Sequence, residues 1–230
     1  MEIRAVGFDI GHTLVGYEHP LNWKALYEPA LRAVLQACGF PVCEESLERA
    51  ADILAKYNTR EHPRVHEVGS EVIFREIFDA WAQPYGKIFL ARETFYGFFQ
   101  AGAACYTDAD AVLRFLKMHK IRIGALTDVA YGMDNAFSLR DIAPIRQYFD
   151  IVLTSVDVGF RKPHEAGYER LLQAFGTSPG QTLYVGDEEK DIVGANALGI
   201  VSVLVDRACK KPDWGQRFTV HSLLDIRLLL

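Results

Sequence analysis

A change of hydrophobic period constrains this chain more than any other feature. Residues 3–8 form a short apolar run closed by Asp9 and Gly11, which suits a buried strand entering a turn. After Tyr106 such runs return in alternation with helical patterns. The helix-like segments are DADAVLRFLKMH, MDNAFSLRDI, EAGYERLLQAFG and DIVGANALG, and the apolar runs between and after them are IRIGALT, FDIVLTS, TLYVGD and IVSVLVD. Strands separated by helices predict a parallel sheet covered on both faces. From Leu21 to Phe99 the pattern is different: LYEPALRAVLQACGF, ESLERAADILAKY, SEVIFREIFDAWAQ and ARETFYGFFQAG carry apolar residues at helical spacing, with no strand-like run among them. The first run belongs with the later sheet. We therefore expect a core built from residues 1–15 and 103–230, with a helical domain inserted over 16–102. The Leu-rich tail, interrupted by Asp225 and Arg227, reads as a terminal amphipathic helix docked on the core.

With 230 residues, half of them hydrophobic, the chain can bury a sizeable core. Thirty acidic against 25 basic residues give a formal charge of -5 with no long block of either sign, so no nucleic-acid partner is expected. No segment reaches the roughly twenty apolar residues needed to cross a bilayer, so no membrane partner is expected either. The start, MEIRAVGFD, lacks the basic, apolar and small-residue zones of a secretory signal. Cys38, Cys43, Cys105 and Cys209 show neither C-x-x-C spacing nor a zinc-type histidine pattern, and read as free thiols of a cytoplasmic protein.

Four polar positions fall at or beyond the ends of apolar runs: Asp9 after AVGF, Thr127 after IGAL, Lys162 beyond IVLTSVDVGFR, and Asp187 after TLYVG. In open parallel sheets, ligands bind outside the carboxyl ends of the strands. A carboxylate nucleophile, a hydroxyl, a cation and a metal-binding carboxylate gathered there make a phosphoryl-transfer kit, because that chemistry needs positioning and charge neutralisation. Each residue alone fits a plainer reading: a turn cap for Asp9, a buried strand hydroxyl for Thr127, a helix lead-in for Lys162-Pro163. GDEEKD puts Asp187 and Asp191 about a strand-to-helix turn, where they suit a hard cation or a helix cap equally well.

Taken in order, FDIGHT, ALTD, GFRKP and GDEEKD resemble the four successive motifs of the haloacid dehalogenase (HAD) superfamily hydrolases, in the subfamily with a helical cap inserted after the first motif. The resemblance implies a Rossmann-like α/β core, with the inserted helical domain as its cap, and substrate selectivity in that cap. It also implies hydrolysis of a small phosphorylated metabolite with Mg²⁺ as cofactor. Asp9 would attack phosphorus, while Thr127, Asp128 and Lys162 would bind the phosphoryl group and Lys162 would neutralise its charge. The metal set would be Asp9, the carbonyl of Gly11, Asp187 and Asp191, with Asp191 supporting either the metal or Lys162.

One departure affects the chemistry. Two residues after the nucleophile, family phosphatases usually carry a second Asp that protonates the leaving group and then activates water, and this chain has Gly11. A positioned acid-base group contributes about 10²–10⁴-fold in rate. His12 and His19 are candidate replacements, since histidine titrates near neutral pH. Related enzymes that displace halide also lack the second Asp but work without metal, and Asp187 and Asp191 count against them. Carbon–phosphorus bond hydrolases combine a small residue there with Mg²⁺ and a cap lysine, for which Lys24, Lys56 and Lys87 are candidates. A non-catalytic member that binds a phosphorylated ligand or a protein partner is the remaining alternative.

Overall fold

The computed structural model describes residues 2–230, which divide into two compact units. One comprises the chain up to Gly16 together with Ala104–Asp128 and Asp141–Leu230; the other comprises Tyr17–Ala103 and Val129–Arg140.

In the first unit, β1 (Ala5–Phe8) is followed by the two-residue β2 (Val15–Gly16). The second unit contributes α1 (Tyr27–Cys38), α2 (Glu44–Tyr57), α3 (Ser70–Ala80) and α4 (Ile88–Gln100). The chain returns through β3 (Ala104–Cys105), which pairs antiparallel with β2, and continues with α5 (Thr107–Met118) and β4 (Arg122–Thr127). After α6 (Asn135–Ser138) come β5 (Ile151–Thr154), α7 (Ser155–Val158), α8 (Glu165–Phe175), β6 (Thr182–Gly186), α9 (Glu189–Ala197), β7 (Val201–Val205) and β8 (Phe218–Val220).

Among the described residues the larger sheet has six strands in the order β5-β4-β1-β6-β7-β8, all parallel. Its central strand β1 pairs Phe8 with Ala125 on one side and with Val185 on the other. Both faces are buried, which is why β1 and β6 read as unbroken apolar runs rather than as alternating ones. On one face Ala5, Leu126, Leu153 and Tyr184 share a core cluster with Tyr168, Leu171 and Phe175 of α8. Strand alternation sends Val6 and Phe8 to the other face, where they are fully covered. β8 escapes a reading of hydrophobic period because three residues, one of them exposed, are too short to show one.

The helical unit forms from amphipathic stripes. Ala30, Leu31, Val34, Leu35 and Cys38 of α1 are buried, as are Ile73, Phe74, Ile77 and Phe78 of α3, and Gly39 closes α1 in the left-handed conformation at φ 66°. Val129–Arg140, read from the sequence as part of the core, packs instead with these helices. The Tyr131 hydroxyl meets that of Tyr27, Tyr96 Oη donates to the Tyr131 carbonyl (2.9 Å), and Asp134 accepts from Arg92 (2.9 Å) and Ser70 (3.1 Å). Gly132 is needed here, since at φ 59° an added Cβ would lie 1.9 Å from the Val68 carbonyl oxygen.

Two helical expectations need correction. MDNAFSLRDI forms only the four-residue α6, which gives way to turns from Leu139, and Pro144 keeps a helix from resuming through Ala143. The tail is a 3-10 turn, Leu223–Leu228, capped by Ser222 and burying Leu223 and Ile226. No helix of the described residues is long and apolar enough to cross a membrane.

Candidate active site

Strand order creates the site. β1 ends at Phe8 and delivers Asp9, its neighbour β4 ends on Thr127, and its other neighbour β6 ends on Gly186, immediately before Asp187. From β1 the chain builds one side of the sheet through β4 and β5, then the other through β6, β7 and β8. Asp9 therefore stands at the point of reversal, where open parallel sheets bind ligands. Its backbone N–H donates to the Val185 carbonyl (2.8 Å), which extends the β1–β6 ladder one residue and fixes where the carboxylate starts.

Lys162 enters from the loop beyond α7. Its Nζ lies 2.7 Å from Asp9 Oδ1 and 2.6 Å from Asp191 Oδ1, and the Lys162 side chain is only 1% exposed. Burial works against its ammonium, but the Asp191 and Asp9 carboxylates outweigh that and raise its pKa well above the ordinary lysine value. Asp9, Asp187 and Asp191 each present a carboxylate oxygen within 4.8 Å of the others. Burial, reinforced by the charges of Asp9 and Asp191, pushes the Asp187 carboxyl up to about 8. Burial also raises Asp191, against the pull of Lys162.

Asp191 is fully buried, and both of its oxygens are engaged. Oδ1 faces Lys162, while Oδ2 accepts the Glu188 backbone N–H (3.1 Å) in the capping box that starts α9. Gly186 makes room for it, since a Cβ there would lie 2.3 Å from Asp191 Cγ. Asp187 Oδ1 accepts from the Thr13 hydroxyl (3.0 Å). Neither Thr13 nor Gly186 was singled out in the sequence. Thr13 closes the FDIGHT motif, and that place was its only signal.

Thr127 is 8% exposed at the end of β4. The Asp128 carboxylate is turned to cations and to a backbone donor, and does not suit the phosphate-binding role the resemblance implies. Oδ1 accepts the Lys162 backbone N–H (3.0 Å), and Oδ2 lies 3.0 Å from Lys190 Nζ and 3.8 Å from Arg161. Burial is outweighed by Lys162, Lys190 and Arg161, which hold this carboxyl below its usual range, so its oxygens are committed to these partners rather than to a phosphate. Only its backbone N–H is suited to that ligand.

Gly11 lies in the tight turn after β1, where Leu14 and Val15 N–H both donate to the Ile10 carbonyl (2.9 and 3.0 Å). His12 follows in the left-handed conformation at φ 55°, exposed, with its N–H on the Val15 carbonyl (2.7 Å). His19 belongs to the helical unit, 3.9 Å from Glu18. In the same unit Lys24 and Lys56 are ion-paired to Glu61 (2.6 Å) and Glu76 (2.7 Å), which raise their pKa values, and Lys87 Nζ donates to the Cys38 carbonyl. A Schiff-base lysine needs the opposite of what Glu61 and Glu76 do to Lys24 and Lys56, a neutral amine.

The model of the haloacid dehalogenase-like hydrolase family matches residues 3–199. The phosphoglycolate phosphatase of Yersinia pseudotuberculosis is 27% identical over 197 residues, 86% of this chain and 78% of that protein. The glyceraldehyde 3-phosphate phosphatase of Methanopyrus kandleri is 28% identical over 208 residues, 89% and 84% of the two chains. Among solved structures, a 2-haloacid dehalogenase from Pseudomonas syringae pv. Tomato shares the fold, with a TM-score of 0.71 at 23% identity over 99% of this chain and 97% of that one. The chain belongs to the haloacid dehalogenase-like hydrolase family, and it is a hydrolase.

Proposed function

We propose that this hydrolase is a phosphatase of small phosphorylated metabolites that works through an aspartyl phosphate on Asp9. The observation that carries the reading is the buried Lys162 ammonium bridging Asp9 and Asp191, with Asp187 beside them. Lys162 donates to Asp9 Oδ1, which keeps a lone pair for a cation, and orients the carboxylate so that the other oxygen attacks. That oxygen forms a bond to phosphorus as the bond from phosphorus to the leaving-group oxygen breaks. Water then attacks phosphorus, the bond to Asp9 breaks, and inorganic phosphate leaves with the carboxylate restored. Thr127 and the backbone N–H groups of this rim would hold the phosphoryl oxygens. The named relatives, phosphatases of phosphoglycolate and glyceraldehyde 3-phosphate, support the substrate class.

The donor set fits a hard divalent cation. Three carboxylates face a single ammonium, and burial, reinforced by the charges of Asp9 and Asp191, raises the Asp187 carboxyl to about 8. Asp9, Asp187 and the Gly11 carbonyl would hold Mg²⁺, and Asp191, fully buried with Oδ2 capping α9, is assigned to Lys162. When bound, the ion would neutralise phosphoryl charge and stabilise the ionised form of Asp187. The helical unit is assigned the role of the family cap, and substrate choice is assigned to it.

Gly11 leaves leaving-group protonation and water activation to other groups, so good leaving groups are favoured. The test is phosphate release, with Mg²⁺ and with EDTA, from a panel of aryl phosphates, sugar phosphates, nucleotides and phosphonates. Release from esters that EDTA abolishes is expected. Metal-independent release, or release from phosphonates alone, would overturn the reading.

A further inference from the structure

Asp128 poses a problem that the proposed reaction does not solve. It is an ionised carboxylate with a side chain 4% exposed, adjacent in sequence to the hydroxyl assigned to phosphate. Burying it carries a desolvation cost that ion pairing often only offsets. Net stability is therefore a poor explanation for it, and its geometry supplies a better one.

Its two oxygens join three segments that build the site: the end of β4, the loop beyond α7 and the first turn of α9. The residue itself follows β4 and Thr127. Oδ1 accepts the backbone N–H of Lys162 at 3.0 Å, in the loop beyond α7. Oδ2 is 3.0 Å from Nζ of Lys190, the residue before Asp191 in the first turn of α9. Lys190 is held from its other side by Glu188, 2.8 Å away, beside Asp187. Arg161, 7% exposed, adds a second cation at 3.8 Å. The main chain of Lys162 is thus pinned by Asp128 while its Nζ, at the far end of a flexible four-carbon stem, spans Asp9 and Asp191. Fixing the stem's root is what lets a mobile ammonium hold two carboxylates in register.

We propose that Asp128 is a positioning residue: through the Lys162 backbone N–H and the Lys190 ammonium it locks the loop bearing Lys162 and the first turn of α9 bearing Asp191 to the end of β4, and so sets where the Lys162 ammonium sits. This rests on the reading of Lys162 as part of the phosphatase machinery. Displacing a catalytic group by about 1 Å can cost on the order of 10²-fold. Asp128→Ala should therefore lower kcat toward p-nitrophenyl phosphate by about 10–10²-fold, while KM moves by less than about threefold. In a Lys162→Met background the same change should cost less than about threefold, because the group it positions is gone.

The experiment is that double-mutant cycle together with a crystal structure of Asp128→Ala, or of Asp128→Ser if the alanine variant does not fold. Non-additive losses, with Lys162 Nζ displaced from Asp9, support the proposal. Equal fold losses in both backgrounds, or Lys162 unmoved in the variant, overturn it. If the unaltered protein releases no phosphate from any ester, the phosphatase reading fails. The clamp is then decided by the crystal structure alone, in which an unmoved Lys162 overturns it and a displaced one supports it.

Discussion

Three carboxylates and one ammonium share the floor of the site, and the imbalance falls on Asp187, whose Oδ1 is tied to the Thr13 hydroxyl. The same crowding makes Gly186 indispensable. Gly186→Ala would put a methyl group 2.3 Å from Asp191 Cγ, so Asp191 must shift and Lys162 with it. We expect a loss of about 1–3 kcal/mol in stability from overpacking, measured by denaturant unfolding, with activity falling further than stability explains. Gly11→Asp should act in the opposite direction on rate. If acid-base help is what the site lacks, an alkyl phosphate gains up to the acid-base contribution of about 10²–10⁴-fold and an aryl phosphate gains less, since phenolate leaves without a proton. A folded Gly11→Asp protein with no gain on any ester would mean that proton transfer is not the limitation.

Elements are held together by a residue that no motif announced. Asp108, in the first turn of α5, accepts two bonds from Arg207 (2.9 and 3.0 Å), one from Ser222 Oγ (3.0 Å) and one from the Leu223 backbone N–H (3.0 Å). It thereby ties α5 to the loop after β7 and to the C-terminal turn. Burial would raise its pKa, but Arg207, Leu223 and Ser222 outweigh that and lower it. A carboxyl whose folded pKa lies below its unfolded value contributes stability above about pH 4, and that contribution is lost as pH falls through the lowered folded pKa. Asp108→Asn should cost about 1–3 kcal/mol near neutral pH and flatten the acid limb of the stability profile. An unchanged acid limb would contradict this account. The strand-and-helix alternation was legible in the sequence because buried parallel strands read as apolar runs and the motif residues fall at their ends. Asp108 was not, because an acidic residue in a first helical turn looks like an ordinary dipole partner until the chain from about residue 207 is folded against it. Val129–Arg140 was misassigned to the core for a related reason: Tyr131 and Gly132 owe their partners to residues far earlier in the chain.

At the scale of the whole molecule, the proposed cation site of Asp9, Asp187 and Gly11 would exist only in the folded state, so Mg²⁺ at about a hundred times its Kd should add about 2.7 kcal/mol of stability. A Tm that rises with Mg²⁺ in the unaltered protein and stays fixed in Asp187→Asn would bear that out; equal rises in both would place the ion elsewhere. The catalytic claim meets its most direct test in an acid quench during steady-state turnover of an aryl phosphate, followed by mass mapping of peptides. In the proposed mechanism, Gly11 in place of a water-activating acid slows breakdown of the covalent intermediate, so the intermediate is expected to accumulate. The expected result is a phosphoryl group on the peptide bearing Asp9, absent with EDTA and absent in Asp9→Asn, which does not turn over. Undiminished turnover in Asp9→Asn with no such adduct would contradict the account.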